Sequence, residues 1–117
     1  MLEDKANELG RLIGQSPEYQ GLKRTSDALN DDREAVALLQ RMEKLRGEAQ
    51  QLIQRGENPT EEMEKQLDEL LEKIQQQSVY QRAVAAQENF DKLMLRVNQW
   101  IMDGMKKGAA SPIITLS

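Results

Sequence analysis

The sequence contains neither cysteine nor histidine, and these two absences remove many of the side chains on which enzyme and metal chemistry depends. Without cysteine there is no disulfide, no thiolate zinc site, no cysteine-ligated iron–sulfur cluster and no thiol nucleophile. Without histidine there is no histidine general base and no histidine-containing catalytic triad. Among the classical reactive side chains, only hydroxyls, amines and carboxylates remain to be considered.

Aromatic residues and long apolar runs are also scarce. Only 3% of the 117 residues are aromatic, so a core has to be built mainly from Leu, Ile, Val, Met and Ala, as in helix–helix contacts. The longest apolar run, residues 35–39, is far too short to span a bilayer. The N-terminal segment has acidic residues where a secretory peptide would have a basic region and an apolar block. We therefore expect a cytoplasmic protein.

Charged residues of both signs are plentiful and intermixed. They make up 31% of the chain, and the net charge of -4 suits a small soluble domain. The length corresponds to one domain with a modest core. A chain that binds nucleic acid electrostatically normally concentrates Lys and Arg on one face, so this balance argues weakly against that class.

Two glycines, a serine and a proline lie close together in residues 10–17. Apolar residues at three- and four-residue spacing predict a first helix over residues 2–13, with the stripe Leu2, Ala6, Leu9 and Ile13. Gly14 is suited to end this helix in the left-handed conformation, Ser16 to cap the next one, and Pro17 to occupy its first position. A phosphate-binding loop would end in Gly-Lys-Ser/Thr, and a serine nucleophile would need a neighbouring base. Neither is present, so the segment predicts a helix corner.

Further breaks divide the rest of the chain into four more predicted helices, over residues 17–29, 32–55, 61–74 and 79–107. Gly56 is expected to end the third helix. The expected N-terminal caps of the last three are Asn30 or Asp31, then Thr60, then Ser78.

The short connection at residues 56–60 makes the third and fourth helices antiparallel neighbours. The predicted fold class is therefore all-α, an antiparallel helical hairpin bundle of about five helices. We expect a single domain over residues 1–107, followed by a flexible C-terminal tail over residues 108–117.

The last predicted helix has a wider apolar face than one neighbouring helix covers. One seam contains Ala86, Phe90, Leu93, Val97 and Trp100, and a second beside it contains Ala83, Gln87, Met94, Ile101 and Met105. At about 25 cal/mol per Å² of apolar area, leaving one seam in water would forgo a free energy comparable with the net stability of a small domain.

Either the other helices of the same chain cover both seams, or a second copy does. We expect self-association into a homodimer or larger assembly, because two-fold dimers are the commonest soluble assemblies. Large apolar and aromatic side chains typically form interface hot spots. The predicted contact residues are accordingly Phe90, Leu93, Met94, Val97, Trp100 and Ile101, with a role in the core of one chain as the alternative.

The acidic cluster of the fourth helix is the strongest candidate for chemistry, and consists of Glu61, Glu62, Glu64, Asp68, Glu69 and Glu72. A carboxylate metal site in a helical bundle needs such groups to point inward from several helices. Here they alternate with an apolar stripe on a single helix, which is typical of a solvated face. We therefore predict no catalytic residue, no metal site and no cofactor, and hence no enzyme.

A second functional class is a nucleic-acid-binding regulator. It would use the basic residues of the second and third helices, which are Lys23, Arg24, Arg41, Lys44, Arg46 and Arg55. The corner at residues 14–17 would suit a helix-turn-helix, yet the second helix has few side chains of the kind that contact base edges. We keep this class as the alternative.

Four segments in this order resemble the YlbF/YmcA family of small bacterial helical proteins, which includes a YheA-like branch. They are "LIGQSPEYQGLK", "EAVALLQRMEKLR" after the "ND" break, "QRGENPTEE" and "VYQRAVAAQENFDKLMLRVNQWI". The resemblance extends over about residues 6–101, nearly the whole chain. Each segment is common alone, whereas their order and spacing are more specific.

The resemblance implies a helical, self-associating protein without catalysis of its own. Studied relatives act as regulatory partners in protein complexes that affect competence, biofilm formation and sporulation, with a link to ribonuclease Y and messenger RNA maturation. Some of those complexes hold iron–sulfur clusters through cysteines. This sequence has no cysteine, so the resemblance implies no cluster here. The functional prediction is a cytoplasmic, non-catalytic interaction or adaptor protein that binds itself and another regulatory protein.

Overall fold

The computed structural model describes residues 1–110, which form five α-helices and, within that range, no strand. The helices are α1 (Leu2–Gly14), α2 (Pro17–Asp31), α3 (Arg33–Gln54), α4 (Glu61–Gln75) and α5 (Ser78–Ala110). The all-α prediction is confirmed, and the predicted boundaries lie within three residues of the observed ones. Residues 108–110, which were predicted to begin the tail, continue α5; the rest of the predicted tail lies outside the described residues.

Three of the described helices, α2, α3 and α4, begin at a hydrogen-bonding side chain, and two of these caps are the predicted ones. Ser16 Oγ accepts a bond from the Tyr19 amide at 3.2 Å, and Thr60 Oγ1 accepts one from the Met63 amide at 3.1 Å. The predicted cap of α3 was wrong. Asp32 caps this helix by accepting a bond from the Ala35 amide at 2.9 Å, since α2 stays helical through Asp31 and leaves Asp32 as the extended residue between the helices.

The predicted cap of α5 was also wrong, because Ser78 is already inside the helix. The backbone amides of Tyr80 and Gln81 both donate to the carbonyl of Gln77, at 3.1 and 3.0 Å. The Gln81 side-chain amide reaches back to the carbonyl of Gln75 at 2.7 Å, which ties the start of α5 to the end of α4.

The two glycines that were predicted to end helices behave differently. Gly56 has φ +81°, the one positive value among the described residues, and it ends α3 with the bonds of a Schellman motif. The Gly56 amide donates to the Ile53 carbonyl at 3.0 Å and the Glu57 amide to the Leu52 carbonyl at 2.8 Å. Gly14 is the last helical residue of α1, and Gln15 follows as the C-cap with φ −90°, so the left-handed prediction for Gly14 was wrong.

Two helix pairs form the body of the fold. α2 packs most extensively against α5, and α3 packs against α4; lesser contacts join α2 to α3 and α4 to α5. The main core lies between α3 and α4, where its buried members are Ala35, Leu38, Met42, Leu70 and Ile74. Val97 of α5 is the one further buried apolar side chain of the described residues. Six buried side chains are a small core for this length.

The molecule is elongated. Its radius of gyration is 21.3 Å, whereas a compact chain of 117 residues has about 13 Å. Its accessible surface is 9486 Å², against about 6,500 Å² for a typical monomer of 13.4 kDa. With extents of 65 × 37 × 19 Å, it is about two helix diameters thick in its thinnest direction. Few apolar side chains are therefore fully enclosed in the described part of the chain.

None of the described helices is both long enough and apolar enough to cross a membrane.

Candidate interaction surface

α2 and α5 run antiparallel along a seam that contains an aromatic pair. The rings of Tyr19 and Phe90 have centroids 5.7 Å apart and planes tilted by 58°. Glu18 in the first turn of α2 lies 3.6 Å from the guanidinium of Arg96, while the later α2 residues Ser26 and Asp27 line a groove with residue 87 of α5. The first turn of α2 therefore lies beside residue 96, and α2 covers the preceding part of α5.

The structure divides the six predicted contact residues into two groups. Phe90, Leu93 and Met94 are partly buried and Val97 is buried within the protomer, whereas Trp100 and Ile101 are exposed. The first four thus already have a packing role in one chain. Trp100 and Ile101 lie further along α5 than Arg96, beyond the part of α5 that α2 covers.

The exposed apolar surface continues to the end of α5. The side chains of Trp100, Ile101 and Met105 are 60%, 44% and 67% exposed. Helical spacing places them on the same face as buried Val97, so this stripe is the uncovered continuation of the α2–α5 seam. We call residues 97–110 the α5 end.

The first helix has a matching exposed stripe that the sequence prediction did not treat as functional. Leu2 and Leu12 are 85% and 64% exposed, and Leu9 and Ile13 are only partly buried. Within the described residues α1 contacts α2 slightly and makes no substantial contact with α5. The sequence signal was the stripe predicted for this helix, Leu2, Ala6, Leu9 and Ile13, and the structure adds exposed Leu12 to it. We call the large apolar residues of this side, Leu2, Leu9, Leu12 and Ile13, the α1 stripe.

The corner between α1 and α2 is held by hydrogen bonds from both sides. Ser16 Oγ donates to the Ile13 carbonyl at 2.6 Å and also accepts the bond from the Tyr19 amide. The Gln20 side-chain amide donates to the Gly14 carbonyl at 2.9 Å. The Ser16 and Gln20 side chains thus bond backbone groups at the end of α1 and at the start of α2. These bonds stabilise the observed angle between the two helices.

The acidic cluster of α4 faces solvent, as the sequence pattern indicates. All six of its carboxylate residues are exposed, and no charged or polar side chain is buried anywhere in residues 1–110. The same range contains no group of three or more acidic residues that would hold a metal ion. The grooves along the helices are open, such as one of about 350 Å³ between α2 and α5. None of these features provides the convergent buried polar groups of a reaction site.

The basic residues proposed for nucleic-acid binding are exposed but divided between separate places. Arg41 and Lys44 line an α3–α4 groove together with Gln66, whereas Lys23 lines a groove between α2 and α5. Nucleic-acid binding normally uses a continuous basic surface. The geometry does not favour this alternative.

Residues 2–106 match the family model described as control of competence regulator ComK, YlbF/YmcA. The chain is also similar to proteins named UPF0342 protein. One from Limosilactobacillus fermentum is 32% identical over 98 residues, covering 84% of this chain and 82% of the relative. One from Streptococcus sanguinis is 31% identical over 100 residues, covering 86% and 89%. One from Streptococcus gordonii is 36% identical over 76 residues, covering 65% and 68%.

Proposed function

The chain belongs to the YlbF/YmcA family, and from this premise we propose that it is a cytoplasmic helical adaptor that self-associates and binds a regulatory protein partner. The family is a regulatory one, and its description names control of a competence regulator. The adaptor acts by contact and has no reaction of its own. Its partner is a protein of such a regulatory complex.

The observation that carries this proposal is the exposed apolar stripe of the α5 end. Trp100, Ile101 and Met105 extend a seam whose preceding part is packed in the protomer. Contiguous exposed apolar surface of this kind marks interaction sites in soluble proteins. The small core supports the same conclusion, because a chain that buries six apolar side chains gains much of its further stabilisation by covering surface with another copy.

Self-association is tested by light scattering on the full chain and on two matched variants. Trp100→Ala removes a side chain from the stripe, and Leu95→Ala removes one that is also 60% exposed but lies on another side of α5. We expect the unchanged chain and Leu95→Ala to be dimers or larger, and Trp100→Ala to be a folded monomer. An unfolded Trp100→Ala chain would assign this residue to the core, and an assembly unchanged by the substitution would refute the interface.

Partner binding is tested by affinity capture from the native host. The tagged chain should retain one defined protein. A Leu95→Ala chain should retain the same protein, because Leu95 does not lie on the stripe of Trp100, Ile101 and Met105. Capture of nothing but further copies of the chain would refute the adaptor role while leaving self-association in place. Nucleic acid in the captured material, removed by raised salt, would favour the alternative class.

A further inference from the structure

We infer that α1 of one copy covers the α5 end of a second copy, and reciprocally, so that the dimer forms by exchange of the N-terminal helices around a two-fold axis. The inference rests on the proposed self-association and specifies its surface. The occupant is a second copy of this chain. In the contact, the α1 stripe lies antiparallel to the stripe of Trp100, Ile101 and Met105.

The first argument is that α1 leaves the α5 end of its own chain uncovered, while hydrogen bonds hold its corner with α2. α1 and the α5 end both extend from the place where α2 begins, beside Arg96, and α1 makes no substantial contact with α5 in the described residues. Swinging α1 inward would disturb the bonds of Ser16 and Gln20 that join the two helices. Each such bond contributes modestly to stability, so together they favour the observed corner over a rearranged one. The corner therefore holds α1 available for another chain.

The second argument is that the two surfaces match in length and charge. α1 has 13 residues and the α5 end has 14, so both are about 20 Å long at 1.5 Å per residue. Glu3 and Asp4 lie in the first turn of α1, and Lys106 and Lys107 lie near the end of α5. An antiparallel contact places the acidic first turn of α1 at the same end as the basic last turn of α5, where the opposite charges attract each other from the rim of the contact.

The third argument is the area available. Five side chains carry the exposed surface of the two stripes, namely Leu2, Leu12, Trp100, Ile101 and Met105. At roughly 200 Å² for a fully exposed side chain of this size, their exposed fractions amount to roughly 600 Å² per chain. A reciprocal contact involves this area on both copies, so it buries roughly 1,200 Å² before any polar rim is counted, which reaches the range of stable interfaces.

The absence of cysteine makes a direct test straightforward. Leu12→Cys and Ile101→Cys are prepared as two separate full-length proteins, mixed so that subunits exchange, and treated with a short flexible bismaleimide. We expect a covalent dimer that contains one chain of each variant, identified by mass spectrometry of the linked peptides. Leu95→Cys replaces Ile101→Cys as the matched control, since Leu95 is exposed on another side of the same helix and should link poorly. Circular dichroism checks that each variant keeps its helix content.

The outcomes separate this inference from the proposed function. Light scattering that shows a dimer without a Leu12→Cys to Ile101→Cys link would overturn the helix exchange and leave self-association standing. A dilution-stable monomer would overturn both. A double variant, Leu12→Cys with Ile101→Cys in one chain, that links within a monomer would show that α1 closes onto its own α5. The relative orientation of the two helices is tested by linking Met105→Cys to either Leu2→Cys or Leu12→Cys. An antiparallel contact places Leu2 nearer to Met105, so the Leu2→Cys link should form in higher yield. A higher yield with Leu12→Cys would overturn the antiparallel contact.

Discussion

Two glycines in helix interiors give a sharp test of whether the α5 end is free or covered. Gly47 lies in α3 and Gly104 in α5, and a Cβ added to either meets no atom within 4 Å. Within one chain the two sites are therefore equivalent. They differ in position, because Gly104 lies seven residues after Val97, on the stripe that we assign to the partner's α1, whereas Gly47 lies on an exposed side of α3.

Replacing either glycine by alanine should stabilise an isolated protomer. A glycine inside a helix costs about 0.5–1 kcal/mol relative to alanine. For 117 residues, an unfolding entropy of about 2.1 cal/mol/K per residue converts 1 kcal/mol into about 4 °C of Tm. Gly47→Ala should therefore raise Tm by about 2–4 °C. Gly104→Ala should lack this gain, since the added methyl group obstructs the close approach of a second helix.

The assay is thermal unfolding followed by circular dichroism at one protein concentration, with light scattering on the same samples. Gly47→Ala should melt higher with its assembly unchanged, and Gly104→Ala should melt no higher and dissociate more readily on dilution. Equal gains in Tm for the two variants, with assembly unchanged in both, would show that the face around Gly104 is open to solvent. That result would refute our placement of α1.

Two further substitutions test the cap and the core, both by urea denaturation. Asp32→Ala should lower the free energy of unfolding by about 1 kcal/mol, because it removes the bond to the Ala35 amide. As the control, Asp31→Ala should lower it by less than about 0.5 kcal/mol. Equal losses for the two variants would refute Asp32 as the cap. Ile74→Ala should cost about 2–5 kcal/mol, since this side chain is fully buried between α3 and α4. Leu71→Ala on the exposed side of α4 should cost clearly less.

Helix positions were predictable from the sequence because their ends depend on local chemistry. Ser16 with Pro17, Gly56 and Thr60 each act within a few residues of the chain, and each appears where predicted. The errors arose where several residues competed for one role. Asn30, Asp31 and Asp32 are all good capping residues, and which one caps depends on how far α2 continues, a matter of packing rather than of propensity.

The candidate surface was predictable only in part. The spacing of apolar residues in α5 indicated an apolar face wider than one neighbouring helix covers. In the structure, Trp100 and Ile101 on this face are exposed. The spacing did not reveal that α2 begins beside residue 96, so it did not separate packed Val97 from the uncovered residues after it. The role of α1 was missed as well. The direction of α1 depends on hydrogen bonds such as that of the Gln20 side chain to the Gly14 carbonyl. The periodicity of apolar residues does not indicate such bonds.

If the exchanged helices contribute to folding, stability has to depend on protein concentration. A dimer that unfolds into two separate chains becomes more stable by about 1.4 kcal/mol per dimer for each tenfold increase in protein concentration. A hundredfold increase therefore adds about 2.8 kcal/mol. Divided by an unfolding entropy of about 0.5 kcal/mol/K for the pair, this free energy raises Tm by about 6 °C. Deleting residues 1–14 should remove this dependence, since it removes the helix that each copy supplies to the other. A Tm that stays constant over the hundredfold range would mean that the small core of each chain folds unaided and that α1 contributes no intermolecular contact.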